Sequence, residues 1–109
     1  ALLGAAAAAG IAVIDGGCIG VFQGPRLESA AEIERARRDG CDMAGMTSLP
    51  EAGLARELGL DYAGVAVVSN WAAGVVGEHI SEDDIAATLR EPMGRVRTLV
   101  AALADHLAN

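Results

Sequence analysis

The sequence predicts an α/β layered fold. Three observations carry the prediction. Helix-forming and strand-forming segments alternate along the chain, the strand segments are near-continuous apolar runs suited to a sheet covered on both faces, and glycines stand where helices stop. The 109 residues suffice for one core. Eight Arg, no Lys and 15 Asp plus Glu leave a net charge of -7. That balance excludes a nucleic-acid binder with a basic stripe and a polybasic membrane-surface protein. Apolar residues make up 52%, which excludes disorder, but aromatics only 3%. The core must therefore close by tight approach of Ala- and Gly-rich elements.

The elements follow in order. Residues 1–9 are strong helix-former sequence, and Gly10 sits where a helix C-terminal glycine belongs. Residues 11–14 and 18–22 read as short strands, separated by Asp15-Gly16-Gly17. Gln23–Arg26 is a turn. Ser29-Ala30-Ala31-Glu32 is a capping box, predicting a helix from Ser29 to about Asp39, stopped by Gly40. A short buried strand is expected at 42–45. Ser48-Leu49-Pro50-Glu51 reads as a second capping box for a helix ending at Gly59. Leu60–Ser69 is the longest strand signal, with β-branched Val65, Val67 and Val68. Ser81 and the acids Glu82, Asp83 and Asp84 open a last helix. Its apolar positions from Ile85 to Leu107 keep helical spacing, with a kink expected around Pro92 and Gly94.

Two cysteines, Cys18 and Cys41, make neither a disulfide framework nor a zinc site. They read as small buried hydrophobes of a reducing compartment. The apolar start lacks a charged leader region and is too short to span a bilayer. Three polar clusters fall at the carboxyl ends of predicted strands, where ligands gather in such folds. They are Gln23–Glu28, Gly45–Ser48 and Ser69–Trp71. No Ser-His-Asp order, metal cluster or P-loop is present in the sequence.

Read together, Gly24-Pro25-Arg26-Leu27-Glu28-Ser29-Ala30-Ala31-Glu32, Gly45-Met46-Thr47-Ser48-Leu49-Pro50-Glu51 and Val67-Val68-Ser69-Asn70-Trp71-Ala72-Ala73-Gly74 resemble the trimeric purine nucleoside phosphorylase and methylthioadenosine phosphorylase family in order and spacing. The resemblance covers essentially the whole chain. It is strongest to bacterial 6-oxopurine members, including methylthioinosine phosphorylases. It implies a three-layer α/β fold with a mixed sheet flanked by helices, of which residues 1–109 form the carboxyl-terminal part of a single domain. It also implies a cytoplasmic homotrimer that takes a purine nucleoside and inorganic phosphate, with no other cofactor, no metal, and neither nucleic acid nor membrane as partner. Family members are more than twice this length. Their upstream half carries a glycine-rich phosphate loop, an Arg and a His for phosphate, and much of the subunit interface. A chain that starts without Met fits a piece of such a protein, and that piece alone is expected to be inactive.

The resemblance also implies roles. Asn70 is the expected catalytic residue, bonding N7 and O6 of the purine with an amide that donates and accepts at once. Without the resemblance it reads as an Asn closing a turn. Glu28 is expected to accept from N1–H of a 6-oxopurine; by itself it reads as a helix-entry acid. Thr47 resembles the family's phosphate-binding hydroxyl, just ahead of a helix amino terminus, or else a plain helix-entry Thr. Met46 is expected against the ribose. Leu27 replaces a residue that is often aromatic in the family, keeping apolar contact with sugar and base without ring stacking. His79 is a candidate for a 5′-hydroxyl, and Ile80 and Ile85 for a thiomethyl pocket, in a stretch that reads equally as surface before a helix cap. Arg26 reads as structural, holding its turn through carbonyls, Trp71 as pocket wall or core, and His106 as solvated.

Two rivals stand beside a 6-oxopurine phosphorylase. A methylthioadenosine phosphorylase calls for acidic residues where Asn70 and Ala72 stand. A non-catalytic fragment that only binds or assembles is the other. The sequence leaves open the 5′ preference and the oligomer.

Overall fold

In a computed structural model, which describes residues 1–77 and 81–108, the order of elements is α1 (Leu2–Ala8), β1 (Ile19–Val21), α2 (Ala30–Arg38), β2 (Met43–Gly45), α3 (Glu51–Glu57) and α4 (Glu82–Ala108). The chain divides into two compact units. One comprises Ala1–Gly16, Val65–Ser69 and Ile80–Asn109, the other Gly17–Gly64 and Asn70–His79.

The first unit is built on α1 against α4. Its core is Ala5, Ala6 and Leu99, the last only 2% exposed, with Leu2, Ile11, Ala102 and Leu103 packed around them. Two buried alanines let the helix backbones approach closely, as a core poor in aromatics requires. The same logic operates at Gly4, where an added Cβ would lie 3.3 Å from the exposed His106 ring. Ser81 caps α4 by accepting the Asp84 N–H at 3.2 Å while its hydroxyl donates to the Asp84 carboxylate at 2.5 Å. The helix continues through Pro92, so the expected kink does not end it.

The second unit holds β1–α2–β2. The strands are parallel, pairing Ile19 with Met43, Gly20 with Ala44 and Val21 with Gly45, and α2 supplies the crossover that parallel strands need. Gly20 brings α2 close: a Cβ there would lie 3.5 Å from the Ala36 Cβ. Three helices end alike. After α1, α2 and α3, the N–H groups of Ile11, Cys41 and Leu60 reach back to the carbonyls of Ala6, Ala36 and Ala55, each at 2.9 Å. Gly10, Gly40 and Gly59 make the turn with φ of 67°, 89° and 66°, a left-handed conformation that glycine adopts without strain.

Several expectations are corrected. Among the described residues the sheet is a two-stranded parallel pair, not a mixed sheet, and its strands are half-buried rather than covered on both faces, Ala44 being exposed. Residues 11–14 and 61–69 form no strand. Ile11 instead closes the α1 terminus, and the β-branched run is left largely exposed, with Val68 at 68%. Strand propensity measures fit to a pleated, half-buried surface, and among the described residues no neighbouring strand supplies one. The second capping box does not form. Pro50 is the N-cap of α3, and Ser48 contributes its carbonyl, accepting from Ala52 N–H at 3.1 Å, rather than its hydroxyl. Cys18 is exposed and Cys41 half-buried, because both stand just ahead of a strand at the open end of the two-stranded sheet.

Candidate functional site

The second unit joins the first two polar clusters and sets Gly74, four residues beyond Asn70, against α2. Pairing continues one residue past β1, where Phe22 N–H donates to Gly45 C=O at 2.9 Å. The segments carrying Gln23–Glu28 and Met46–Ser48 therefore leave the sheet side by side, at the carboxyl ends of the strands. They touch at Gly24, where a Cβ would lie 2.8 Å from Met46 Sδ and 3.6 Å from its Cγ. At Gly74 a Cβ would lie 2.5 Å from the Ala30 Cβ and 3.3 Å from its Cα. The end of the third segment thus rests on the first turn of α2. Val67–Ser69, by contrast, fall in the first unit.

Glu28 is half-buried just before the Ser29 cap, and Leu27 beside it is 52% exposed. Ser29 closes the predicted capping box: its hydroxyl accepts Glu32 N–H at 3.3 Å, and its own N–H donates to Glu32 Oε2 at 2.8 Å. Arg26 adds a bidentate pair to Glu32, Nη1 to Oε2 at 2.7 Å and Nη2 to Oε1 at 2.6 Å, and donates to Leu27 C=O at 3.2 Å. The carbonyl bond agrees with the sequence reading of Arg26, but the ion pair was not foreseen. Its signal was an Arg six residues ahead of the N3 acid of a capping box. Arg26, and then the Ser29 N–H, hold the Glu32 carboxyl down at about 2. The net effect is a loop, bearing Leu27 and Glu28, tied at both ends to the start of α2.

Met46 is half-buried and Thr47 exposed in the bend after β2. Thr47 lies three residues ahead of the α3 N-cap, and Glu51 already occupies the first turn of that seven-residue helix. The local helix therefore adds little to any anion affinity of Thr47. Asn70 is exposed in a bend, and its Nδ2 donates to Trp71 C=O at 2.8 Å. Trp71 is 65% exposed, so it belongs to no core in this chain. His79 and Ile80 lie outside the described residues, and Ile85 is half-buried in α4 of the first unit. Among the described residues no three His, Cys, Asp or Glu side chains are grouped to hold a metal. No described helix is long and apolar enough to cross a membrane.

The model of the phosphorylase superfamily matches residues 1–105. The chain belongs to that superfamily. This phosphorylase-superfamily chain is 60% identical over 67% of its length to a probable S-methyl-5′-thioinosine phosphorylase of Xanthomonas campestris, covering 29% of that protein. It is 49% identical over 95% of its length to a similarly named protein of Xylella fastidiosa, covering 40% of it. It is 41% identical over 89% of its length to an S-methyl-5′-thioadenosine phosphorylase of Mycobacterium tuberculosis, covering 37% of it. The chain thus spans no more than about two-fifths of these curated relatives.

Proposed function

We propose that this chain is the carboxyl-terminal part of a purine nucleoside phosphorylase domain acting on 6-oxopurine nucleosides, 5′-methylthioinosine among them. The observation that supports the reading is the Gly24–Met46 contact, which joins the segments bearing Glu28, Met46 and Thr47, within a phosphorylase-superfamily chain. The names of the Xanthomonas and Xylella relatives support the thioinosine choice.

In this reading a phosphate oxygen attacks the anomeric carbon of the nucleoside as the C–N bond to the purine breaks. The bonding pair leaves on the base. Asn70 donates to N7 as negative charge develops there, and its amide also bonds O6. Glu28 accepts from N1–H; adenine offers no proton at N1 and leaves that carboxylate unpaired. Thr47 donates its hydroxyl to phosphate. Met46 lines the ribose, Leu27 gives apolar contact to sugar and base, and His79 meets the 5′ substituent. Phosphate is the co-substrate and no further cofactor enters. A cytoplasmic homotrimer with the rest of its phosphate site on the remainder of the protein completes the proposal, and residues 1–109 alone are inactive.

The Mycobacterium relative favours a second reading, a methylthioadenosine phosphorylase. Asn70 and Ala72 count against it, since neither offers a carboxylate to a 6-amino base. The deciding experiment uses the full-length protein with inosine, 5′-methylthioinosine and 5′-methylthioadenosine, with and without phosphate. Phosphate-dependent release of hypoxanthine supports the proposal. Release of adenine in preference, or no release that depends on phosphate, overturns it.

A further inference from the structure

The two cysteines meet at the amino ends of the paired strands. Cys18 C=O accepts from Asp42 N–H at 2.8 Å and from Met43 N–H at 3.1 Å, and Cys18 N–H donates to Asp42 Oδ2 at 2.8 Å. The extended pairing therefore reaches back to Cys18. Side chains two residues apart on a strand share a face, so Cys18 and Gly20 present to the same side. Cys41 Sγ lies on that side, 3.1 Å from where a Gly20 Cβ would stand, and its backbone is held there by the bond from Cys41 N–H to Ala36 C=O. The register sets Cys18 opposite Asp42 and Cys41 one residue before it; a strand spacing of about 4.8 Å and a rise of about 3.3 Å per residue then put the two Cα atoms roughly 6 Å apart, within the ~4.4–6.8 Å that a disulfide spans.

We propose that Cys18 and Cys41 are a redox-active pair that closes into a reversible intramolecular disulfide stapling the amino ends of β1 and β2. Neither the family match nor the proposed phosphorolysis is needed for it. Cys18, the exposed member, attacks a low-molecular-weight disulfide such as oxidised glutathione, forming a mixed disulfide and releasing one glutathione thiol. Cys41 then loses its proton and attacks the Cys18 sulfur, expelling the second glutathione. Two protein thiols lose two electrons and two protons, which end on two glutathione thiols. Burial, and hydrogen bonding with Cys18, push the Cys41 thiol pKa up, which suits Cys41 to the second, intramolecular step rather than the first.

The test equilibrates the full-length protein with glutathione and oxidised glutathione, traps free thiols, and maps tryptic peptides by mass spectrometry. Arg26, Arg35, Arg37 and Arg38 stand between the cysteines, so digestion separates them unless they are bridged. The expected result is one joined peptide pair containing Cys18 and Cys41, two hydrogens lighter than the separate thiols and lost again on adding reductant. In Cys41→Ser the glutathione adduct should persist on Cys18. Separate glutathione adducts on both cysteines of the unmutated protein, or two thiols that stay free throughout the titration, overturn the proposal.

Discussion

Gly24 and Met46 sit against each other so closely that a single carbon added to the glycine would come within 2.8 Å of the thioether sulfur. This contact joins the loop after β1 to the bend after β2. It carries Leu27 and Glu28 to the side of the sheet from which Met46 and Thr47 emerge. Gly74 repeats the arrangement against Ala30, with the further demand of a φ of 78°.

Gly74→Ala and Gly24→Ala should therefore differ. At Gly74 the new methyl meets a rigid Ala30 and the residue must hold a left-handed backbone. Overpacking and conformational strain together should cost about 2 kcal/mol or more. At Gly24 the obstacle is a flexible Met side chain that can swing aside, so the cost should stay under about 1.5 kcal/mol. Urea unfolding of the full-length variants measures both, and equal losses would contradict the Gly74–Ala30 contact.

The Arg26–Glu32 pair should show itself in acid. The Glu32 carboxyl is held at about 2, against an ordinary 4.5. Its stabilising contribution is full above about pH 4.5 and is lost as pH falls toward 2. Glu32→Gln keeps an oxygen for the Ser29 N–H but cannot titrate. The melting temperature of the variant should fall less steeply than that of the unmutated protein between those pH values. Glu34, also held at about 2 by Arg37 and Arg38, leaves a residual slope in both.

Thr47→Val tests the phosphate assignment separately from the base. Losing a hydrogen bond to a charged group costs about 1.5–3 kcal/mol, so KM for phosphate should rise roughly 10-fold or more. The nucleoside KM at saturating phosphate should change little. An unchanged phosphate KM would remove Thr47 from the site.

Much of this architecture was legible because it is written locally. The capping box at Ser29 fixed the start of α2, and Gly10, Gly40 and Gly59 fixed the ends of three helices, since each needs only its own turn to operate. The short strands at 19–21 and 43–45 were also readable. Leu60–Ser69 was not, because valines register suitability for a sheet without naming a partner strand. Ser48 misled because its sequence matches a cap, while the helix begins after Pro50. At the site, the three segments were visible in sequence, but their contacts through two glycines, and the clamp of Arg26 on Glu32, depend on separations only a folded chain defines.

One substitution tests whether Asn70 reads the base. In the full-length protein, Asn70→Asp replaces an amide that can donate to O6 and N7 by a carboxylate that repels O6 and can accept from a 6-amino group. Glu28 still favours an N1–H, so the switch should be partial. One mismatched buried pair costs roughly 1–3 kcal/mol, or about 10- to 100-fold in kcat/KM. The measurement is the ratio of kcat/KM for inosine to that for adenosine, repeated with their 5′-methylthio analogues, in both proteins. The ratio should fall by about 10-fold or more in Asn70→Asp. A ratio that stays within about threefold of the unmutated protein would mean that Asn70 does not read the base.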